Sequence, residues 1–497
     1  MYKKLVLISM LILRAIIELC FSNPPSLSLP QQMRDRLSKG RDNWPQLNNG
    51  FSYIRNLKIN LVLVFITFSV LVPLQGFSQE ITNTQSIDQK TFELYENEKW
   101  KELIEVGKLA IKDNIDFYYL QYRMGIAYYG LKNYRKAIPY FEKVLEQQAQ
   151  DKTAQEYLYY SYLFSGMEED ARVFANSFDS EMQGKLLLCD TDLIVNGVGF
   201  EYKKYLFDDY SLSLNTNDTI EQRLRKDLDY FNLNLTHHSK KKFTLYQSFS
   251  YLLGSNLVFN PEYDAYKFDE SVRQFQYYLT GSWNLDKGSN LKVGFHYINT
   301  KLEALNPDSQ MGNGNGRTND LYLYFQKINS FVGFVTFSKS ISYFNLKAST
   351  SISNLGSSFQ VLPLIGVDYL PFGNTNLILG SEIIYQTPPS DQDFDPGFVF
   401  KQKIGLRLFK SLWIEPFMQY GKVSNFVDND ASVVYNNPDI LNGWYGANIN
   451  LNLYKKGLTL YFIYQQYSNT NPYKLNGSEH SIGYGSQTFL GGLRWNF

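Results

Sequence analysis

The sequence predicts an α + β multidomain protein: a short α-helical solenoid followed by a transmembrane antiparallel β-barrel of 14 strands, with 16 as the alternative. Three observations predict it. Residues 79–185 show helical periodicity with little Gly or Pro, and self-similarity at a period of about 34. From about Leu186 the period falls to 2, in segments of about 9–13 residues separated by Gly, Asn, Asp and Ser. The chain ends on a strand that is apolar on one face only: Phe489, Leu493, Trp495 and Phe497 alternate with Gly492, Arg494 and Asn496.

Composition agrees with a barrel. Acidic and basic side chains balance at 48 each, so no bulk field favours nucleic acid. Aromatic residues make up 16 % of the chain, yet the mean hydropathy is −0.31. A helical membrane protein would not average out this way; a barrel does, because lipid-facing and water-facing residues alternate. The two cysteines, Cys20 and Cys189, straddle the expected processing site, so the mature chain has no internal disulfide.

Taken in order, residues 1–56 read as an upstream extension that does not belong to the working protein. Residues 57–78 read as a secretory signal peptide. Lys58 precedes an apolar run from Leu61 to Val72, then Pro73 and a small-residue exit at Gly76, Phe77 and Ser78. Cleavage is expected after Ser78, leaving Gln79 first. The rival reading is an extended signal starting at Met1 or Met33. Glu18 and Leu19, just before Cys20, do not fit lipoprotein processing.

Residues 79–185 form the helical unit, with about three repeats. The sharpest spans about Tyr118 to Asp151 and holds Met124-Gly125, Tyr128, Tyr134, Ala137, Phe141 and Val144. One period on stand Tyr162 and Ala171; one period back stand Leu94, Trp100 and Ala110. Small residues such as Ala137 and Ala171 let paired helices approach, and large ones fill the gaps between repeats. This pattern resembles the tetratricopeptide repeat, although Gln121 stands for the usual Trp and Ala149 for the usual Pro. The resemblance implies a concave face that binds a protein. Tyr118, Tyr119 and Tyr122 are its candidate lining, unless one of them packs between helices.

Residues 186–497 form the barrel. In 445–454, Tyr445, Ala447, Ile449, Leu451 and Leu453 oppose Gly446, Asn448, Asn450 and Asn452. Phe231, Leu233 and Leu235 oppose Asn232, Asn234 and Thr236; Leu291, Val293, Phe295 and Tyr297 oppose Lys292, Gly294 and His296. Tyr251, Trp283, Tyr297, Tyr420, Tyr445 and Trp495 suit interfacial girdles. Short turns at 239–241 and 455–456 alternate with long loops near 206–225, 303–317, 427–442 and 468–485. About fifteen strand-like segments occur, and the up-down parity fails at 341–375. The terminal strand resembles the assembly signal of bacterial outer-membrane barrels, which implies the barrel-assembly machinery and the lipid bilayer as partners. The exit before Gln79 and the aromatic barrel resemble proteins of the Bacteroidota.

Alternation places Glu382, Lys403, Arg407, Glu415 and Arg494 on the inward face, as pore lining or as structural ion pairs. The acidic loop at 390–397 lacks the Gly and the bidentate Glu of a calcium site, and Gly312 to Gly316 lacks the strand-to-helix context of a phosphate loop. No zinc ligand set or nucleophile elbow is present. His296 with Ser282 or Ser248 is the one conceivable dyad. No catalytic, cofactor or metal site is expected. The reading is a channel or exporter for a polysaccharide or other polar solute, coupled to an unidentified periplasmic protein through the repeats; that order of modules resembles exopolysaccharide exporters. The alternatives are a closed barrel that anchors the repeats as a scaffold, and an outer-membrane lipid-modifying enzyme.

Overall fold

The computed structural model describes residues 83–186, 195–208, 222–238, 242–260, 266–305, 323–357, 359–387, 397–437, 439–453, 457–475 and 478–496. The expected signal region, both cysteines, Phe497, nearly all of the acidic loop and the Gly312–Gly316 stretch lie outside these residues.

Among the described residues seven helices come first: α1 (Thr84–Glu96), α2 (Trp100–Lys112), α3 (Tyr118–Gly130), α4 (Tyr134–Gln147), α5 (Lys152–Phe164), α6 (Glu168–Ala175) and α7 (Ser180–Lys185). The first six form three hairpins. Their first helices begin at residues 84, 118 and 152 and their second at 100, 134 and 168, so each hairpin advances by 34 residues. Capping fixes several starts. Asn83, Asp151 and Asp179 accept backbone N–H groups of the first turns of α1, α5 and α7, each cap stabilising by about 1 kcal/mol. The core is continuous through the hairpins: Leu103, Ala110, Leu120, Met124, Ala137, Phe141, Val144, Ala154 and Ala171 are all fully buried. Gly125 is needed here, because a Cβ on it would lie 2.8 Å from the Phe141 ring.

Sixteen strands follow: β1 (Gly197–Phe207), β2 (Gln222–His238), β3 (Phe243–Asn260), β4 (Tyr266–Asn284), β5 (Ser289–Leu305), β6 (Leu323–Ile341), β7 (Phe344–Ser353), β8 (Gln360–Tyr369), β9 (Leu377–Tyr385), β10 (Phe398–Arg407), β11 (Leu412–Val423), β12 (Phe426–Asp428), β13 (Val433–Tyr435), β14 (Ile440–Leu453), β15 (Leu458–Leu475) and β16 (Ser478–Asn496). Fourteen close into one antiparallel barrel, in which β1 pairs with both β2 and β16. The remaining two, β12 and β13, form a separate small hairpin. The parity problem at 341–375 resolves into β7 and β8, joined through a short 3₁₀ turn at 355–357.

Two loop expectations need correction. Residues 468–485 are not a long loop, because β15 and β16 run almost through them and pair as far as Leu475 with Ser478. Their upper halves are polar on both faces and so lack the apolar alternation that marks a strand in lipid. Residues 427–442 are not a simple loop either, since they hold most of the β12–β13 hairpin and the start of β14.

The wall is inverted relative to a soluble protein. On β2, Phe231 and Leu233 are exposed outward while Asn232 and Asn234 are buried inward. On β4 the outward face is apolar from Phe275 to Trp283 and turns charged beyond it, at Arg273 and Asp269. That belt of about nine residues is the length a tilted strand needs to cross a bilayer. On β5 the belt runs from Leu291 to Tyr297 and then gives way to Asn299 and Lys301. Among the described residues no helix is long and apolar enough to cross a membrane; the apolar belt is carried by the strands.

The helices sit on the end of the barrel that carries the short turns. Gly373 O accepts from Arg135 N, Phe164 O from Thr375 N, and Lys132 O from Asn374 Nδ2. Gly288 N donates to the Asp170 carboxylate at 3.0 Å, and Asn133 Nδ2 donates to Tyr343 Oη at 2.7 Å. The starts of α4 and α6 and the end of α5 thus rest on the β4–β5, β6–β7 and β8–β9 turns.

Candidate functional site

A fourteen-stranded barrel is wider than its own side chains can fill. Here the space is taken by the segment between β11 and β14, which enters from the end opposite the helices and carries β12 and β13 into the lumen. The hairpin is apolar at its sides. Phe426, Val427 and Ala431 are buried against Tyr278, Ile298, Val332, Phe334, Leu362, Ile384, Trp444 and Tyr467 of the wall. Tyr435 packs on Trp444 and Tyr467, with centroids 5.2 and 6.1 Å away. The hairpin therefore spans the lumen from β4–β6 to β14–β15.

Its tip is polar and deep. Asp430 accepts from Lys292 Nζ at 2.9 Å and from Thr336 Oγ1 at 2.9 Å, and Lys347 Nζ lies 3.2 Å away. Asp428 pairs with Lys401. Tyr278 Oη donates to Asp430 O at 2.9 Å. His296 Nδ1 lies 2.7 Å from Ala431 O; a carbonyl can only accept, so Nδ1 carries the proton. Tyr278, Lys292 and His296 all lie within the apolar belt of their strands, so the tip sits inside the barrel at bilayer level.

The tip also holds strain. Asn429, Asp430 and Ala431 have φ of 48°, 52° and 59°, three successive non-glycine residues in the left-handed region, at a cost on the order of 1 kcal/mol each. Buried polar atoms near the hairpin's base lack partners: Gln360 Nε2, both amide atoms of Gln419, and Asn425 Oδ1. Such atoms weaken a seat. The hairpin is held by ion pairs and contacts to the wall, not by joining the sheet.

Four of the five charged candidates have partners in the structure. Glu382 lies 3.4 Å from Lys347 and 3.6 Å from Lys401. Lys403 lies 3.2 Å from Asp368. Glu415 accepts from Asn448 Nδ2 at 3.0 Å, and Arg407 donates to Thr375 Oγ1 at 2.8 Å. Arg494 stands one inward position from Gly492, where the Tyr461 ring fills the space a Cβ would take. Only Glu382 touches the lysines that hold the hairpin. The residues that meet the tip directly, Lys292, Thr336, Lys347 and Lys401, escaped the sequence reading, although the alternation of Lys292 and His296 against Val293 and Phe295 was a usable signal. His296 makes no dyad: Ser248 donates to Asn232 and Ser282 to Asn290.

The three tyrosines of the helical unit divide. Tyr118 is half-buried, donates to Asp151 and stacks on Tyr122, so it ties α3 to the start of α5. Burial, with Asp151 beside it, pushes its phenol well above the usual range. Tyr122 is half-buried too, and Tyr119 is exposed. Tyr119 flanks Arg123, whose guanidinium lies between the rings of Phe92 and Tyr119, 5.3 and 5.6 Å from their centroids. Of the terminal strand's apolar residues, Phe489, Leu493 and Trp495 face outward.

No family model matches the chain, and no curated protein does. Solved structures similar in outline include a Pseudomonas aeruginosa FadL homologue, at 11 % identity and TM-score 0.37, over 68 % of this chain and 94 % of that one. The Pseudomonas putida toluene transporter TodX gives 7 % identity and TM-score 0.36, over 61 % and 90 %. The Acinetobacter baumannii outer membrane protein Omp33 gives 10 % and 0.30, over 61 % and 99 %. Likeness this distant carries no functional assignment. Among the described residues no group of side chains could hold a metal ion.

Proposed function

We propose that the protein is an outer-membrane conduit for a polar solute, closed at rest by the β12–β13 hairpin, with its helical unit in the periplasm. The observation that carries this reading is the hairpin itself. A fourteen-stranded barrel without it has an aqueous lumen, and the hairpin closes that lumen through separable ion pairs and a strained tip. Polar wall residues such as Asn232, Asn234, Ser250 and Gln276 are what a water-lined path requires. The helical unit has the 34-residue period of tetratricopeptide repeats, and its exposed Phe92 and Tyr119 beside Arg123 suit a protein partner. Its place at the short-turn end matches the side on which outer-membrane barrels have short periplasmic turns. Barrel assembly is assigned to the terminal strand.

The test is conductance of the full chain in planar bilayers. The parent is expected to be closed most of the time. A variant with residues 426–435 replaced by a Gly-Ser linker of equal length should give stable steps. A linker variant that folds, shifts on heating as barrels do, and stays silent would favour the closed anchor instead.

A further inference from the structure

The hairpin tip sits in a cationic seat, and the chemistry of that seat points to a ligand. Lys292, Lys347, Lys401 and Lys403 line one arc of the wall from β5 to β10. The wall's own carboxylates among them are Asp368 and Glu382. Four positive charges face two negative ones, and the hairpin supplies the two carboxylates that restore balance, Asp428 and Asp430. Further round, Glu415 acts on Lys403 and Arg407 adds a fifth cation, so the wall's excess of two positive charges is unchanged. Two uncompensated ammonium groups inside a barrel are costly when solvent is limited, so an empty seat attracts anions.

The seat is shaped as well as charged. Asp430 is held as a bound oxyanion would be. One oxygen takes Lys292; the other takes Thr336 Oγ1 and lies 3.2 Å from Lys347. Ser349 shares a hydrogen bond with Thr336 at 2.7 Å, which fixes the hydroxyl. Once the tip leaves, the Tyr278 hydroxyl and the His296 Nδ1–H, which now donate to the tip's carbonyls, become two further donors aimed into the same space. Ammonium groups, hydroxyls and an imidazole N–H converging on one point favour a carboxylate or phosphate oxygen over a neutral sugar hydroxyl.

We infer that the seat of Lys292, Lys347, Lys401 and Thr336 is the anion-binding site of the conduit, that Asp428 and Asp430 occupy it in place of the solute, and that the solute carries a carboxylate or phosphate group. This rests on the conduit reading. It makes the solute a competitor of the plug: the anion that takes the lysines releases the tip, and the tip's strain favours that exchange.

The experiment uses the full chain carrying the Gly-Ser linker at 426–435, with D428N/D430N as a gentler second variant. Reversal potentials in a potassium chloride gradient should show preference for chloride. Millimolar inorganic phosphate, or acetate run beside it, should lower the chloride current several-fold, and the stronger of the two assigns the headgroup. K292Q/K347Q in the linker background should abolish both effects. Calorimetry on the detergent-folded protein measures phosphate and acetate binding without any need for conduction. A variant that conducts with no anion preference and binds neither probe overturns the anion site and leaves the conduit standing. A silent variant that binds phosphate through Lys292 and Lys347 supports the anion site and overturns the conduit. A silent variant that binds neither overturns both.

Discussion

Single positions carry much of the fit between elements. Gly125 faces Phe141 across α3 and α4 so closely that the next larger residue must displace the ring. Gly125→Val should lower the stability of the helical unit by about 1–3 kcal/mol through overpacking, read as an earlier helical melt in the full chain; an unchanged melt would mean the hairpins can slide apart at no cost. Asp170 makes a different point. It is half-buried at the contact between helices and barrel, where it accepts from Gly288 N. Burial raises its pKa above the usual carboxylate value. A carboxyl whose folded pKa is raised contributes stability that is complete below its unfolded pKa and is lost as pH rises through the folded one. Asp170→Asn keeps the acceptor and removes the charge. It should raise the melting temperature at pH 7, with the gain shrinking toward zero as pH falls below the carboxylate range; a loss at pH 7 would show that the charge is wanted, for instance by the nearby Arg135. That guanidinium is itself buried and pushed down to about 10, yet it stays charged at neutral pH while it donates to Ser165 O and Asn345 Oδ1.

At the scale of elements, the strands and the helices were legible for the same reason: each has a period. Val293 and Phe295 face outward and His296 inward because successive strand residues point to opposite faces. The helix hairpins recur because one repeat cannot bury its apolar face alone. The upper halves of β15 and β16 were not legible, since past the belt polar residues stand on both faces and the apolar alternation vanishes. The hairpin was hidden too. Asn425, Asn429, Asp430 and Asn437 have the composition of any external loop, and nothing local says that the loop turns inward. The terminal strand makes the converse case. Its outward Phe489, Leu493 and Trp495 follow from sequence, and Phe497, outside the described residues, continues the pattern. Phe497→Ser should reduce the yield of heat-modifiable barrel in the outer membrane several-fold. Unchanged yield would remove assembly from that residue's roles.

At the scale of the molecule, the helices and the hairpin act on opposite ends of one lumen. The helices rest on the turns at one mouth, and the hairpin comes in through the other and ends near the first. Its tip reaches Lys292 and Lys347, each three residues from the start of its strand at the helix end. A partner that moved the helices would pull on the β4–β5 and β6–β7 turns, next to the wall that holds Asp430. Deleting residues 83–186 should therefore shift the closed-to-open balance of the parent barrel in bilayers. Identical open fractions with and without the helices would assign them to recruitment alone.

By itself, the sequence determined the repeat period, an antiparallel barrel read as fourteen strands with sixteen as the alternative, and the apolar face of the strands whose alternation is clean. These are short-range properties, set by the 3.6- and 2-residue spacing of side chains and readable within a window of a few turns. Only the tertiary structure decided what fills the barrel. Asp430 meets Lys292 from 138 residues away in the chain, and Tyr278 meets the Asp430 carbonyl from 152 away. No local pattern encodes those pairings. They exist because a closed wall of this width leaves room for a hairpin that brings Asp428 and Asp430 to the wall's lysines.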